Sequence, residues 1–476
     1  MKKRIFMTLA ILLFAVNVWA WPPMGGDCTK DCTLGGTTDI TGNLTGSVNS
    51  GATIVICSST AHANWKCDYT ADGTDDDVQI QAAIDELEAA SDTGGGKIQF
   101  TEGEFIIGAQ IDIAKGNLLL SGIGPNVDDA TGWATQLKAK NSLNDDMFLL
   151  KNDGTKHRYF NRFEFMNIDG NLGNNTSGRC IASDTSATGN KNFNDVHLSY
   201  MFIANCEDEA VDIDNGWGWI IDDVVFEFND GTYVVQVVGG NSFKIVNSKL
   251  IANTNNTAVI HLWSVNNAII QGNLIRASGT SSAIRLKDAE STIIAANTFD
   301  STVGNEEIFI ENDSDFATIT GNAFEGSIAN AIEWENMDTG GHAISGNTFN
   351  TVGSPYTIPI LDTGTGSYIK ISGNTGLTQT ITAAAGGSIY TYGETLIDGT
   401  TNNVATTLPD ARGVGQRKVV RAVSSVANCA SGGGADGCIM TITNGDIGTC
   451  EFDAVGESYI GEWDGAKWIK VGGDCT

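Results

Sequence analysis

Six short stretches alternate apolar and polar residues: Val211-Asp212-Ile213-Asp214, Val235-Gln236-Val237-Val238, Ile260-His261-Leu262-Trp263, Ile284-Arg285-Leu286-Lys287, Ile308-Phe309-Ile310-Glu311 and Ile332-Glu333-Trp334-Glu335. Their first residues recur every 24 or 25 positions. A second ladder runs Ile270-Gln271-Gly272-Asn273, Ile294-Ala295-Ala296-Asn297, Ile319-Thr320-Gly321-Asn322, Ile344-Ser345-Gly346-Asn347 and Ile371-Ser372-Gly373-Asn374. Its asparagines recur at intervals of 24, 25, 25 and 27, and Ser248 extends it back by 25. Two ladders of one period mean one structural unit repeated. The unit is rich in β-branched residues, carries Gly and Asn at its corners and has no helical periodicity. That selects a parallel β-helix over a helical solenoid.

Residues two apart on a strand share a face. Val211, Ile213, Ile260, Leu262, Ile284, Leu286, Ile332 and Trp334 are therefore expected to point inward. The residues between them form two outward columns. One holds Asp212, Gln236, His261, Arg285, Phe309 and Glu333; the other holds Asp214, Val238, Trp263, Lys287, Glu311 and Glu335. With coils about 4.8 Å apart, His261 is expected about 5 Å from Arg285 and about 10 Å from Asp212. Stacked asparagines at one corner are expected to share amide hydrogen bonds, and Asn tolerates the left-handed backbone of a sharp corner.

Upstream, Val78 to Ala90 sets Ile80, Ala83, Ile84 and Leu87 on one helical face, with Thr74 and Asp77 as a capping pair. After Gly94-Gly95-Gly96, strands are expected at Lys97–Phe100, Glu104–Ile107, Ile111–Ile113 and Leu118–Leu120. Thr70-Ala71-Asp72-Gly73-Thr74-Asp75-Asp76, this helix, Gly94-Gly95-Gly96-Lys97-Ile98 and Leu120-Ser121-Gly122-Ile123-Gly124 together resemble the opening of the pectate-lyase superfamily. That group includes rhamnogalacturonase-like and phage tailspike proteins. The likeness covers residues 68–125 and implies a single-stranded right-handed parallel β-helix whose helix covers the first coil. An uncovered solenoid end exposes core and unpaired strand edges, so the physics agrees. Beyond Asn374 the pattern changes. Gly393 to Gly399, Leu408-Pro409-Asp410-Ala411 and Trp463 to Trp468 resemble the small C-terminal modules of phage tail fibres, which implies a homotrimer. Arg412, Arg417, Lys418 and Arg421 make a local basic cluster, read as a solvated surface. The expected fold is all-β: a right-handed parallel β-helix with an N-terminal capping helix and a small C-terminal β domain. Its divisions are a signal peptide (1–20), a disulfide-tied lead-in (21–67), the β-helix (68–376) and the C-terminal module (377–476).

Met1-Lys2-Lys3-Arg4, an apolar run from Ile5 to Val18 and a small residue at Ala20 read as a secretory signal peptide. The run is short for a membrane span and nothing later replaces it. The location expected is therefore extracellular or at the cell surface. A formal net charge of −30 excludes nucleic acid and anionic membranes as partners. Ten cysteines fall into close neighbours: Cys28 and Cys32, Cys57 and Cys67, Cys180 and Cys206, Cys429 and Cys438, Cys450 and Cys475. In an exported chain these read as disulfides, and the 26-residue spacing of Cys180 and Cys206 matches one coil. No zinc spacing is present.

The outward columns carry acids, a histidine, cations and aromatics on one face, which suits a polysaccharide. Hydrolysis needs two carboxylates, one of them protonated. Elimination from a uronate needs a base and a cation to neutralise the sugar carboxylate. Asp208, Glu209, Asp212 and Asp214 supply carboxylates; His261, Arg285 and Lys287 supply a base and cations. Asp222 and Asp223 form a further acid pair. Trp263, Glu311, Glu333, Glu335 and Trp217 are candidates for holding substrate. Trp217 and Trp219 either stack on sugar rings or pack under a turn. Oxygen ligands from these acids admit calcium, while no metal ligand set is assigned. Against polygalacturonase-type hydrolases, Asp208-Glu209-Ala210-Val211 resembles the acid pair with one exchange. The Gly-His-Gly of that family is absent one coil later, and Arg285-Leu286-Lys287 arrives late. The expected function is lyase or hydrolase action on an acidic polysaccharide. The alternatives are a glycan-binding spike and a structural fibre, since a β-helix also needs outer charges for solubility.

Overall fold

The computed structural model describes residues 52–90, 94–125, 134–151, 157–184, 192–301, 306–311, 313–326, 330–335, 341–350, 358–362, 368–372, 374–381, 393–397, 405–408, 417–422, 440–444, 448–452, 458–464 and 466–474. Strands of successive coils pair in parallel and in register. Ile221, Ile245, Ile270, Ile294, Ile319 and Ile344 follow one another across one sheet, all of them fully buried. The right turn of a repeat thus stacks apolar on apolar, and the core is a continuous column. The parallel β-helix read from the repeat is the observed fold.

The solenoid starts earlier than the helix. Thr53–Cys57, in the stretch read as a lead-in, pairs in parallel with Gly96–Phe100. Cys57–Cys67 is bonded, and Glu102 accepts hydrogen bonds from the His62 backbone and from Trp65 Nε1, each at 2.7 Å. The helix, Asp77–Ala89, buries Ile80, Ala83, Ile84 and Leu87 as expected. Its cap differs from the sequence expectation. Asp76 is the N-cap, with no side-chain cap bond, and no Thr74–Asp77 capping pair forms. Asp76 instead accepts from Gly73 N and Ile106 N, and Asp77 from Gly108 N, all at 2.7 Å. These carboxylates tether the helix to the first coil.

The asparagine ladder forms, one residue displaced from the expected geometry. Asn273, Asn297 and Asn322 each donate Nδ2 to the next Asn Oδ1 at 3.0 Å, and Asn347 to Asn374 at 2.9 Å. The left-handed backbone falls on the residue before: Asn247, Gly272, Ala296, Gly321 and Gly346. The residues that follow, Ser248 and then Asn273, Asn297, Asn322 and Asn347, are almost fully buried. Phe299, Phe324 and Phe349 stack beneath at 4.8 Å spacing.

After Thr378 the pairing becomes mixed. Gly393–Ile397 and Arg417–Ala422 pair in parallel, then Arg417–Ala422, Ser458–Trp463 and Trp468–Gly473 pair antiparallel. Of the basic cluster, Lys418 is buried and Arg417 bonds Glu462 at 3.0 Å, while Arg412 lies outside the described residues. The signal peptide, Cys28, Cys32, Cys429, Cys438 and Cys475 also lie outside them. No described helix is long and apolar enough to cross a membrane.

Candidate functional site

One sheet carries every candidate strand, in chain order from Ile111–Ile113 through Val211–Trp217, Tyr233–Asn241, Ala258–Trp263, Ser282–Lys287, Glu306–Glu311 and Asn330–Glu335 to Ile358–Asp362. Asp212, Gln236, His261, Arg285, Phe309 and Glu333 are direct partners in register, coil after coil. Asp214, Val238, Trp263, Lys287, Glu311 and Glu335 form the neighbouring column. The inward partners are fully buried. From Asp212 to Glu333 the strip spans five coil steps, about 24 Å.

The upper end is an acid cluster. Arg179, on the coil before Asp212, sits between two carboxylates. It bonds Asp146 bidentately, Nε to Oδ1 at 2.9 Å and Nη2 to Oδ2 at 2.6 Å, and reaches Asp212 Oδ2 from Nη1 at 2.5 Å. Asp146 is thus part of the site. Burial raises the Asp212 carboxyl above its ordinary range, and Arg179 opposes that rise. Glu209 is also raised by burial, with the charges of Asp212 and Asp208 adding and no cation opposing. Asp208 holds a turn: its carboxylate accepts from Gly178 N at 2.7 Å. Cys180–Cys206 is bonded beside it, and Cys180 N donates to Glu209 O at 3.2 Å. Asp214 receives no assigned chemistry beyond raising Asp212 by its charge.

The middle holds the histidine and the cations. His261 is 4% exposed, stacked on Tyr233 with ring centroids 4.2 Å apart. Its Nδ1 is buried and makes no hydrogen bond. Burial, with the nearby Arg285 and Lys287 charges, lowers it to about 4, so it is neutral at pH 7. Arg285 bonds Glu311 bidentately, at 2.9 and 3.0 Å, and lies 5.5 Å from the centre of the Phe309 ring. Lys287 lies over Trp263 at 4.8 Å, and Trp263 Nε1 bonds Asp288 at 3.1 Å. The lower end is acidic again. Glu306 is raised by burial and bonds Ser282; Glu333 accepts from Asn330 at 2.9 Å; Glu335 is exposed.

The two tryptophans divide. Trp217 is 57% exposed, beyond the left-handed corner at Asn215, whereas Trp219 is buried with Nε1 bonded to Phe193 O at 2.8 Å. Asp222 and Asp223 lie on the other parallel sheet, away from this strip. Arg179 and Tyr233 escape the sequence reading. Arg179 precedes the regular repeat, 33 residues before Asp212. Tyr233 stands two residues before its alternating stretch, and its position beside Glu209 follows only from the register. Among the described residues, no group of three or more His, Cys, Asp or Glu side chains is arranged to hold a metal ion.

No protein-family model matches the chain, and no curated protein matches it. Among solved structures it is similar to the A-module of a mannuronan C-5 epimerase from Azotobacter vinelandii: 16% identity, 64% of this chain, 96% of that one, TM-score 0.42. It is also similar to a Geobacillus virus E2 protein (14%, 85% and 74%, TM-score 0.47) and to the surface protein and adhesin PfbA of Streptococcus pneumoniae (14%, 64% and 95%, TM-score 0.44). At this distance no activity or residue role passes from them to this chain.

Proposed function

We propose that this is an extracellular polysaccharide-active β-helix protein that hydrolyses a glycan lying along the strip from Glu209 to Glu335. The observation that carries the reading is the unequal pair at the upper end. Glu209 and Asp212 are both raised by burial, but only Asp212 has a cation, Arg179. Two coupled carboxyls whose surroundings separate them divide into acid and base. Glu209 holds the proton and delivers it to the glycosidic oxygen as the C–O bond breaks. Asp212 stays ionised and either takes the proton of the attacking water or attacks the anomeric carbon. The exposed faces of Trp263 and Trp217 offer stacking platforms for sugar rings. The two disulfides support an oxidising, extracellular setting.

Elimination fits less well. It needs a cation free to neutralise a uronate, and both arginines of the strip are already held by carboxylates. A second reading, an adhesin that binds without cleaving, is favoured by that same internal pairing. Incubation with a glycan panel tests the assignment. New reducing ends are expected; an unsaturated-uronate absorbance would overturn hydrolysis, and retention without cleavage would leave adhesion. Activity rises as Asp212 ionises and falls as pH climbs through the Glu209 value, which burial places above the ordinary carboxylate range.

A further inference from the structure

We propose that the strip accepts an uncharged glycan and turns uronates away, and that the Arg285–Glu311 pair sets this preference. The inference rests on the reading of the strip as a glycan site, and it replaces the acidic substrate expected from sequence.

Three cations lie along the strip; both arginines are held by carboxylates, and Lys287 lies over an aromatic ring. Arg179 is shared by Asp146 and Asp212. Arg285 is closed on Glu311 by two hydrogen bonds, with side chains only 27% and 11% exposed. Lys287 covers Trp263 and is in register with Glu311 on the next coil. A uronate carboxylate prefers a bidentate arginine, and here a protein carboxylate holds that position. To displace it, the ligand would strand Glu311 in a largely buried place, which is costly. The rest of the strip repels it: Asp212, Asp214, Glu333 and Glu335 share the two columns. The chain's net charge of −30 adds a long-range field of the same sign. Sugar hydroxyls meet no such barrier. They donate to carboxylates, and the sugar ring faces stack on Trp263 and Trp217.

The test is binding of the full chain to immobilised oligogalacturonate and to neutral gluco-, manno-, xylo- and galacto-oligosaccharides of equal length. At low salt, at least one neutral ligand is expected to bind about tenfold or more tighter than the uronate. Added salt should narrow the gap, because it screens repulsion. Glu311→Gln frees Arg285 and should raise uronate affinity about tenfold; a circular dichroism spectrum confirms that the variant is folded. Wild-type uronate binding that is tighter than neutral binding and weakens with salt would overturn the inference while leaving the glycan reading intact. That salt dependence is read on the wild type, so it stands even if the variant misfolds. Binding of neither class would remove both.

Discussion

Glu209 and His261 show what burial does to single groups along the strip. Burial disfavours the charged form of Glu209, the charges of Asp212 and Asp208 add to that, and its carboxyl is raised above the ordinary range although backbone hydrogen bonds oppose the rise. Glu209→Gln should lower turnover by about 10²-fold or more, the scale of a lost general acid. It should also leave the melting temperature at pH 8 unchanged or higher, because a buried uncompensated charge goes with it. Loss of both activity and fold would make Glu209 a structural residue instead. The histidines behave oppositely. His261 and His342 are both lowered to about 4 by burial, and His342 Nδ1 accepts from Ala317 N at 3.1 Å. The unfolded chain takes up these protons near pH 6.5 and the folded chain only near 4. Their stabilising effect is therefore complete above 6.5 and lost as pH falls to about 4. His342→Asn keeps an acceptor for Ala317 but cannot titrate. Its urea midpoint should fall less than that of wild type between pH 7 and 4; parallel curves would contradict the assignment.

At the scale of the element, the corner asparagines and the coil length decide what can be read in advance. Each buried Asn donates to the next Asn and to a carbonyl on the coil before, as Asn322 does to Asn347 Oδ1 and Ile294 O. Asn322→Ala takes the Oδ1 acceptor from Asn297 N and Nδ2 and the Nδ2 donor from Ile294 O, and should cost about 2–3 kcal/mol in urea unfolding. Ala296 is the odd member of the corner column, at φ 53° where the other coils place glycine or, at Asn247, asparagine. Relief of a left-handed Ala is worth about 1 kcal/mol, so Ala296→Gly should raise the midpoint slightly; a clear loss would contradict this. Coils from Val211 to Glu335 keep 24 or 25 residues, so their alternation gave the register of both outward columns from sequence. Before that the spacing lengthens, with Ala182 rather than a residue 24 or 25 positions back in register with Asp212, and the Arg179 bridge to Asp146 was not legible. The position of the left-handed corner was also misplaced by one residue. Composition says that Gly and Asn share a corner, but not which of them turns and which points inward.

The whole molecule joins a long parallel stack to a short mixed sheet after Thr378. The trimer implied by the C-terminal resemblance has a direct check. The full chain should sediment as a trimer and a chain ending at Leu377 as a monomer; a monomer in both cases removes the idea. The stack itself explains why residues spread over more than a hundred positions serve one surface. A constant coil length turns sequence distance into a shift of about 4.8 Å, so Asp212 and Glu333 share a face. Whether that face does chemistry is the central claim. The most direct measurement follows reducing ends released from neutral polysaccharides by wild type and by Glu209→Gln, with binding of both proteins recorded in parallel. The account predicts cleavage by the wild type, and loss of cleavage with binding retained in the variant. Equal cleavage by the two proteins would contradict it.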